Sequence, residues 1–310
     1  MIIKVGTRGS KLSLTQTEAV LRDIKFIHPE LKFKVKIIKT LGDRERNKPL
    51  FTIDSKGIFE REINQAIVKG EVDLAVHSLK DIPILELSDI IIAAIPKRGS
   101  RHDVLISKDK LRLKELPKGA TVGTGSLRRL AQVKFVRPDL EVKPIRGNVD
   151  TRIRKVKKGE FDAAVVAEAG LERMGLEDEI TERFPLKQFP SAAGQGALAI
   201  VTAKGNGEIM ELLRAVDDPE TRAEVIAERS LVLQLEGGCR VPIGAVGCAN
   251  GNRLSLQGSI FSLNSQKKLS DIAKGTLGEA QKLGKQVAQS LIKQGAKDFE
   301  KEWREKYGPW

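Results

Sequence analysis

Through the first half of the chain, short apolar runs of strand length alternate with stretches of helical spacing. Residues 2–6 form an apolar strand, and Leu14, Ala19, Leu21 and Ile24 predict a helix over 12–27. Phe33, Val35 and Ile37 alternate with Lys34 and Lys36, which predicts a half-buried strand over 33–38 with Ile38 breaking the pattern. A helix is expected at 58–68 and strands at 72–76 and 90–95. The polar stretch 42–56 is long for a connection inside a compact domain, which makes it a candidate lid.

The same order recurs. Val5-Gly6-Thr7-Arg8-Gly9-Ser10 leads into a helix, as does Val122-Gly123-Thr124-Gly125-Ser126. The basic strand Lys34-Val35-Lys36-Ile37 has its counterpart in Glu141-Val142-Lys143-Pro144-Ile145. Lys69-Gly70-Glu71-Val72-Asp73-Leu74-Ala75-Val76 matches Lys158-Gly159-Glu160-Phe161-Asp162-Ala163-Ala164-Val165. Two similar α/β lobes facing a cleft explain this order, and Pro144 favours an edge position for the second basic strand. Residues 196–202 read as another strand, followed by helices to 216 and from 219 onward. A glycine-rich turn at 236–242, strands near 246 and at 254–260, and a polar helix over 277–294 form a separate α+β tail of about 90 residues.

Charge sharpens the picture. The chain of 310 residues carries a formal net charge of +13. Between residues 126 and 158 stand eleven basic side chains against Asp139, Glu141 and Asp150. Such a field favours an anionic partner, a nucleic acid or a small polycarboxylate or phosphate. Aromatic residues make up 4% of the chain and are not interleaved with these charges, which argues against a base-stacking surface. The two cysteines and three histidines lie in no metal-binding spacing, and no apolar run reaches membrane-spanning length, so a soluble protein without a metal site is expected.

The chemistry concentrates at a few points. The apolar run 72–76 ends in His77-Ser78-Leu79-Lys80-Asp81-Ile82-Pro83, the pattern of a buried strand delivering polar side chains into a pocket. Each Gly-Thr turn places hydroxyls (Thr7 and Ser10, Thr124 and Ser126) where free backbone N–H groups attract anions, though the same residues also serve as ordinary helix caps. Arg8, Arg128 and Arg129 beside those turns, and Arg146 and Arg152 around Gly147-Asn148, supply forks for carboxylates. Asp81 among them would stabilise a developing cation and relay a proton, or else pair with Lys80. Cys239 sits in the glycine-flexed turn with Arg240 and is a possible attachment point, whereas Cys248 in Val246-Gly247-Cys248-Ala249 reads as a core cysteine.

These ordered motifs, with Lys39-Thr40-Leu41-Gly42-Asp43, Lys56-Gly57-Ile58-Phe59, Gly194-Gln195-Gly196-Ala197-Leu198 and Leu235-Glu236-Gly237-Gly238-Cys239, resemble the porphobilinogen deaminase (hydroxymethylbilane synthase) family over roughly residues 1–260. The resemblance implies an α/β fold of three domains: two periplasmic-binding-protein-like lobes around a cleft and a smaller α+β domain. It divides the chain into 1–96 plus 197–217, 97–196, and 218–310. It implies a dipyrromethane cofactor held by a thioether to Cys239, on which four porphobilinogen molecules are deaminated and joined, and hydrolytic release of hydroxymethylbilane. Asp81 matches the catalytic aspartate. Lys80, Asp81, Thr124, Ser126, Arg128, Arg129, Arg146 and Gly147 match cofactor contacts. Arg8, Ser10, Arg146, Arg152, Arg173 and Gln195 match substrate contacts, and Lys56 and Phe59 fall on the mobile segment. A cytoplasmic monomer without metal, nucleic-acid or membrane partners is the family expectation. Gly125 and Arg240 depart from the family pattern. Two rivals share the charge pattern: a two-lobed polycarboxylate-binding protein, which gives Cys239 no task, and a nucleic-acid binder, which predicts tight, salt-sensitive affinity.

Overall fold

The computed structural model describes residues 1–44, 59–83, 89–236 and 241–308. The first lobe opens with β1 (Ile2–Thr7), α1 (Lys11–Ile27), β2 (Lys32–Ile37), the short α2 (Leu41–Arg44), α3 (Arg61–Val68), β3 (Leu74–Ser78) and β4 (Ile90–Ala94). The second lobe holds β5 (Asp103–Ser107), β6 (Thr121–Gly123), α4 (Leu127–Val136), β7 (Glu141–Lys143), α5 (Val149–Lys157), β8 (Ala163–Ala167), α6 (Glu168–Glu172) and β9 (Glu182–Arg183). The chain then returns through β10 (Leu198–Ala203), which inserts between β3 and β4, and α7 (Gly207–Leu213) follows.

The two sheets have matching orders, β2-β1-β3-β10-β4 and β7-β6-β8-β5-β9. In each, the three repeat-related strands run parallel and a fourth is antiparallel: β10 against β3, β5 against β8. The central strands are continuous apolar runs because helices cover both faces. Leu74 and Val76 pack with Val20 and Ile24 on one face of the first sheet, while Ala75 packs with Ile63 and Ile67 on the other. In the second sheet, Val165 joins Val122 and Val133, and Val166 joins Ile153 and Val156.

Edge position overrides the alternation expected of β2. Val35 and Ile37 are 43% and 56% exposed, because β2 pairs only with β1. The edge predicted for the Pro144 region is observed, with β7 at the margin of its sheet.

The third unit comprises α8 (Pro219–Gln234), an antiparallel sheet of β11 (Ile243–Asn250), β12 (Arg253–Phe261) and β13 (Lys268–Thr276), then α9 (Ala280–Lys293) and α10 (Ala296–Tyr307). Asp218 caps α8 through its carboxylate, which accepts from Thr221 N–H, and Pro219 occupies the first turn where its missing N–H costs nothing. Leu231, Leu256, Val287 and Leu291 form the fully buried centre. There α8 and α9 approach closely: a β-carbon on Gly284 would lie 2.5 Å from the Ala227 carbonyl oxygen. Gly284→Ala is therefore expected to cost about 1–3 kcal/mol, read as a lower midpoint in thermal or urea unfolding.

Carboxylates of α8 fasten the lobe crossing. Arg98 donates to Glu224 at 3.1 Å and Glu228 at 2.9 Å, and Glu228 also accepts from Gly194 and Gly247 N–H. On the other side, Trp303 of α10 is fully buried with Leu127, Ala131 and Phe261, donating its indole N–H to the Phe261 carbonyl at 2.9 Å. Cys248 departs from the core reading. Gly247 and Ala249 face Glu224 of α8, so period-two alternation turns Cys248 to the exposed face.

Candidate active site

The strand-end pocket predicted from residues 72–83 is present. β3 ends at Ser78, and a single 3₁₀ turn, Leu79–Asp81, carries Asp81 into the open with Ile82 buried behind it. Asp81, His77 and Ser78 line a pocket with Arg8, Ser13, Gln16, Phe59, Glu60 and Val76. Gln16 of α1 exchanges hydrogen bonds with Ser78 at 3.1 and 3.2 Å, fixing that helix to the strand end. Arg8 donates to Asp43 at 2.6 Å, and its guanidinium carbon lies 4.2 Å from the centre of the Phe59 ring. Burial would raise the Asp43 carboxyl, but the Arg8 hydrogen bond and charge outweigh it and hold it below its ordinary value.

The two Gly-Thr hydroxyl turns are helix caps. Ser10 Oγ accepts from Ser13 N–H at 3.2 Å, and Ser126 Oγ accepts from Arg129 N–H at 3.5 Å. Thr124 is buried, and its Oγ1 accepts from Ser126 N–H at 3.2 Å. Asn148 occupies the N-cap position of α5 without a side-chain capping bond. Gly147 just before it has φ +113, and a β-carbon there would lie 2.5 Å from Thr151 Cγ2, so a side chain is excluded on both grounds.

The arginines separate into two groups. Arg128 and Arg129 are 5% and 6% exposed and converge on Asp103, which is wholly buried. Arg128 donates to Asp103 at 2.7 Å and to the Pro190 carbonyl at 2.7 Å. Arg129 donates to Asp103 through Nε at 3.0 Å and Nη2 at 2.7 Å, and Gln195 donates to the same carboxylate at 2.9 Å. Gln195 is therefore tied into this buried cluster. Burial opposes charge on Asp103, but the two guanidinium charges outweigh it and hold its carboxyl far below the carboxylate range.

Arg8, Arg146, Arg152 and Arg173 are only partly buried. Arg152 donates to the Gly147 carbonyl at 3.0 Å and Arg173 to the Gly196 carbonyl at 2.5 Å. Burial, then the charges of Arg129 and Arg146, lower Arg152 to about 10, with Asp81 opposing. Lys80 falls to about 8 through burial and Arg129, again against the pull of Asp81. Positive charge from both lobes thus crowds around one exposed carboxylate. A polycarboxylate would relieve that crowding, and Asp81 would face whatever cation forms on it.

Sequence reasoning missed several residues here. Asp103 was recoverable as a charge opening the apolar run Val104-Leu105-Ile106. Gln16 and Glu60 carried no local signal: Glu60, between Phe59 and Arg61-Glu62, has the pattern of a solvated helix start. Cys239, with Gly237, Gly238 and Arg240, and Lys56 lie outside the described residues. Among the described residues there is no cluster of metal-ligating side chains and no helix long and apolar enough to cross a membrane.

Fold and side chains define a class: a two-lobed α/β protein with a third α+β unit, in which cationic side chains of both lobes act on the exposed Asp81. Residues 3–211 match the family profile described as porphobilinogen deaminase, dipyromethane cofactor binding domain, and residues 222–293 match the porphobilinogen deaminase C-terminal domain. A probable porphobilinogen deaminase of Nitrosopumilus maritimus is 43% identical over 99% of this chain and 98% of its own length. The porphobilinogen deaminase of Brevibacillus brevis is 46% identical over 95% of each. The chain belongs to the porphobilinogen deaminase family. A solved methionine-binding protein covers 71% of this chain and 92% of its own at 15% identity and a TM-score of 0.43, which adds nothing to the strand-order argument.

Proposed function

We propose that the protein is a porphobilinogen deaminase, that is, a hydroxymethylbilane synthase: a transferase of tetrapyrrole biosynthesis that deaminates four porphobilinogen molecules, joins them head to tail and releases the chain by hydrolysis. The observation carrying this reading is Asp81, exposed at the end of β3 and sharing its field with Arg152 and Lys80. Family membership supplies the substrate.

The residues fit a dipyrromethane, because its carboxylates would answer the charge crowding described at Arg152 and its pyrrole nitrogens would find an acid in Asp81. Lys80, Asp81, Thr124, Ser126, Arg146 and Gly147 would hold it, with Arg128 and Arg129 adding charge from the Asp103 cluster beneath. Bound there through a thioether to Cys239, it supplies the nucleophilic pyrrole carbon to which the first substrate is joined. Arg8, Ser10, Arg146, Arg152, Arg173 and Gln195 form the proposed substrate side. Phe59 supports the Arg8 guanidinium, and Lys56 belongs to the proposed lid.

Loss of ammonia from an aminomethylpyrrole leaves an azafulvenium cation whose charge spreads onto the pyrrole nitrogen. The Asp81 side chain stabilises that charge, and guanidinium groups hold the acetate and propionate arms so that the reacting carbons meet. The proposed division into 1–96 plus 197–217, 97–196 and 218–310 is supported by the return of β10 to the first sheet. The reading includes, on family grounds, a cytoplasmic monomer.

The test is direct. Purified protein should consume porphobilinogen and show a covalent mass excess over its sequence, and Cys239→Ala should abolish that excess. A bare wild-type chain without turnover would favour the polycarboxylate-binding reading.

A further inference from the structure

Glu60 has no part in the function derived above, yet it lines the pocket with Asp81, His77 and Arg8. It is 2% exposed, and its Oε2 has no hydrogen-bond partner among the described residues. It stands at the N-cap position of α3 but makes no side-chain capping bond. A buried carboxyl with an unanswered oxygen is costly, and an amide or apolar side chain would serve a purely structural position better.

Its surroundings decide its protonation. Burial, and then the negative charge of Asp81, raise the Glu60 carboxyl to about 7, with Glu62 on α3 adding to the effect. His77 on β3 supplies no compensating charge, since burial and Arg8 lower it to about 4. Arg8, which also lines this pocket, is paired with Asp43. Two carboxyl groups thus share one pocket, Asp81 exposed and Glu60 buried with its proton held more tightly, the arrangement that separates acid from base roles.

We propose that Glu60 is a second acid–base residue of this cleft, protonating the departing amino group of porphobilinogen while Asp81 faces the cation that forms. The proposal rests on the deaminase reading. The Glu60 proton passes to the aminomethyl nitrogen, and the carbon–nitrogen bond breaks with its electron pair going to nitrogen, releasing ammonia. The pyrrole nitrogen lone pair fills the exocyclic carbon–carbon bond. The α-carbon of the preceding substrate ring then forms the new carbon–carbon bond, and the proton it sheds returns to the Glu60 carboxylate. One ammonia leaves per coupling, and Glu60 ends as it began.

Three measurements on the primed enzyme test this. Glu60→Gln should lower kcat by about 10- to 100-fold and remove the decline in rate on the alkaline side of neutrality, with KM and covalent mass excess unchanged. Glu60→Asp, which keeps an acid, should retain a displaced alkaline decline. Infrared difference spectra of substrate-free wild type between about pH 6 and about pH 8 should show loss of a protonated carboxyl band that Glu60→Gln lacks. Unchanged kcat and pH profile in Glu60→Gln, or no such band in wild type, overturns the proposal while leaving the deaminase reading intact. If Glu60→Gln does not fold, an Asp variant with the wild-type profile overturns it equally. Wild type that consumes no porphobilinogen overturns the function itself, and the proposal with it.

Discussion

Asp81→Asn should lower porphobilinogen turnover by about 100- to 10,000-fold and leave the fold unchanged. The substitution keeps size and shape but removes the carboxylate proposed to face the nascent cation. Because Asp81 is exposed on a turn, the unfolding midpoint should move by no more than about 0.5 kcal/mol in stability. KM should change little, since the proposal gives the substrate's arms to the guanidinium groups rather than to Asp81. Asp81 is also one cause of the raised Glu60 carboxyl, so the same variant should let Glu60 ionise at lower pH. Steady-state rates beside thermal melts separate these effects. Turnover near wild type would remove Asp81 from its assigned role.

The largest stability effect is expected at Asp103. Asp103→Asn leaves Arg128 and Arg129 buried without their shared counter-charge, a loss of about 3–5 kcal/mol. Because the folded carboxyl is held below its ordinary value of 3.8, its contribution is complete above that value. It is lost as pH falls toward the depressed folded value. Wild type should therefore lose stability steeply in acid, and the variant should show a lower midpoint at neutrality with a shallower acid dependence. Urea unfolding across a pH series measures both. Equal midpoints at neutral pH would mean that the guanidinium pair finds other partners.

Legibility in the sequence followed the range of the interactions involved. The paired Gly-Thr turns and Gly-Glu-x-Asp strands are local patterns, and the sheets they predict share one strand order. The Asp81 pocket was legible because a buried strand ending in polar residues is also local. At β5 the sequence offered the charge that opens the apolar run but not its role, since the guanidinium groups that neutralise Asp103 lie 25 and 26 residues away. β13 went unread because its charged residues suit an exposed edge, and α10 because Trp303 is its anchor in an otherwise charged segment. The local apolar pattern around Cys248 could not show which face of β11 the helices would cover.

The position of β10 bears on how the protein is made. It is the strand that joins β4 to β3, and it follows the whole of the second sheet in the chain. A nascent polypeptide halted on the ribosome at residue 197 therefore contains every strand of the later sheet, while the earlier one stays split and β4 has no neighbour. The guest lobe can mature before its host, and the strand leading to Asp81 waits for a partner made long after it.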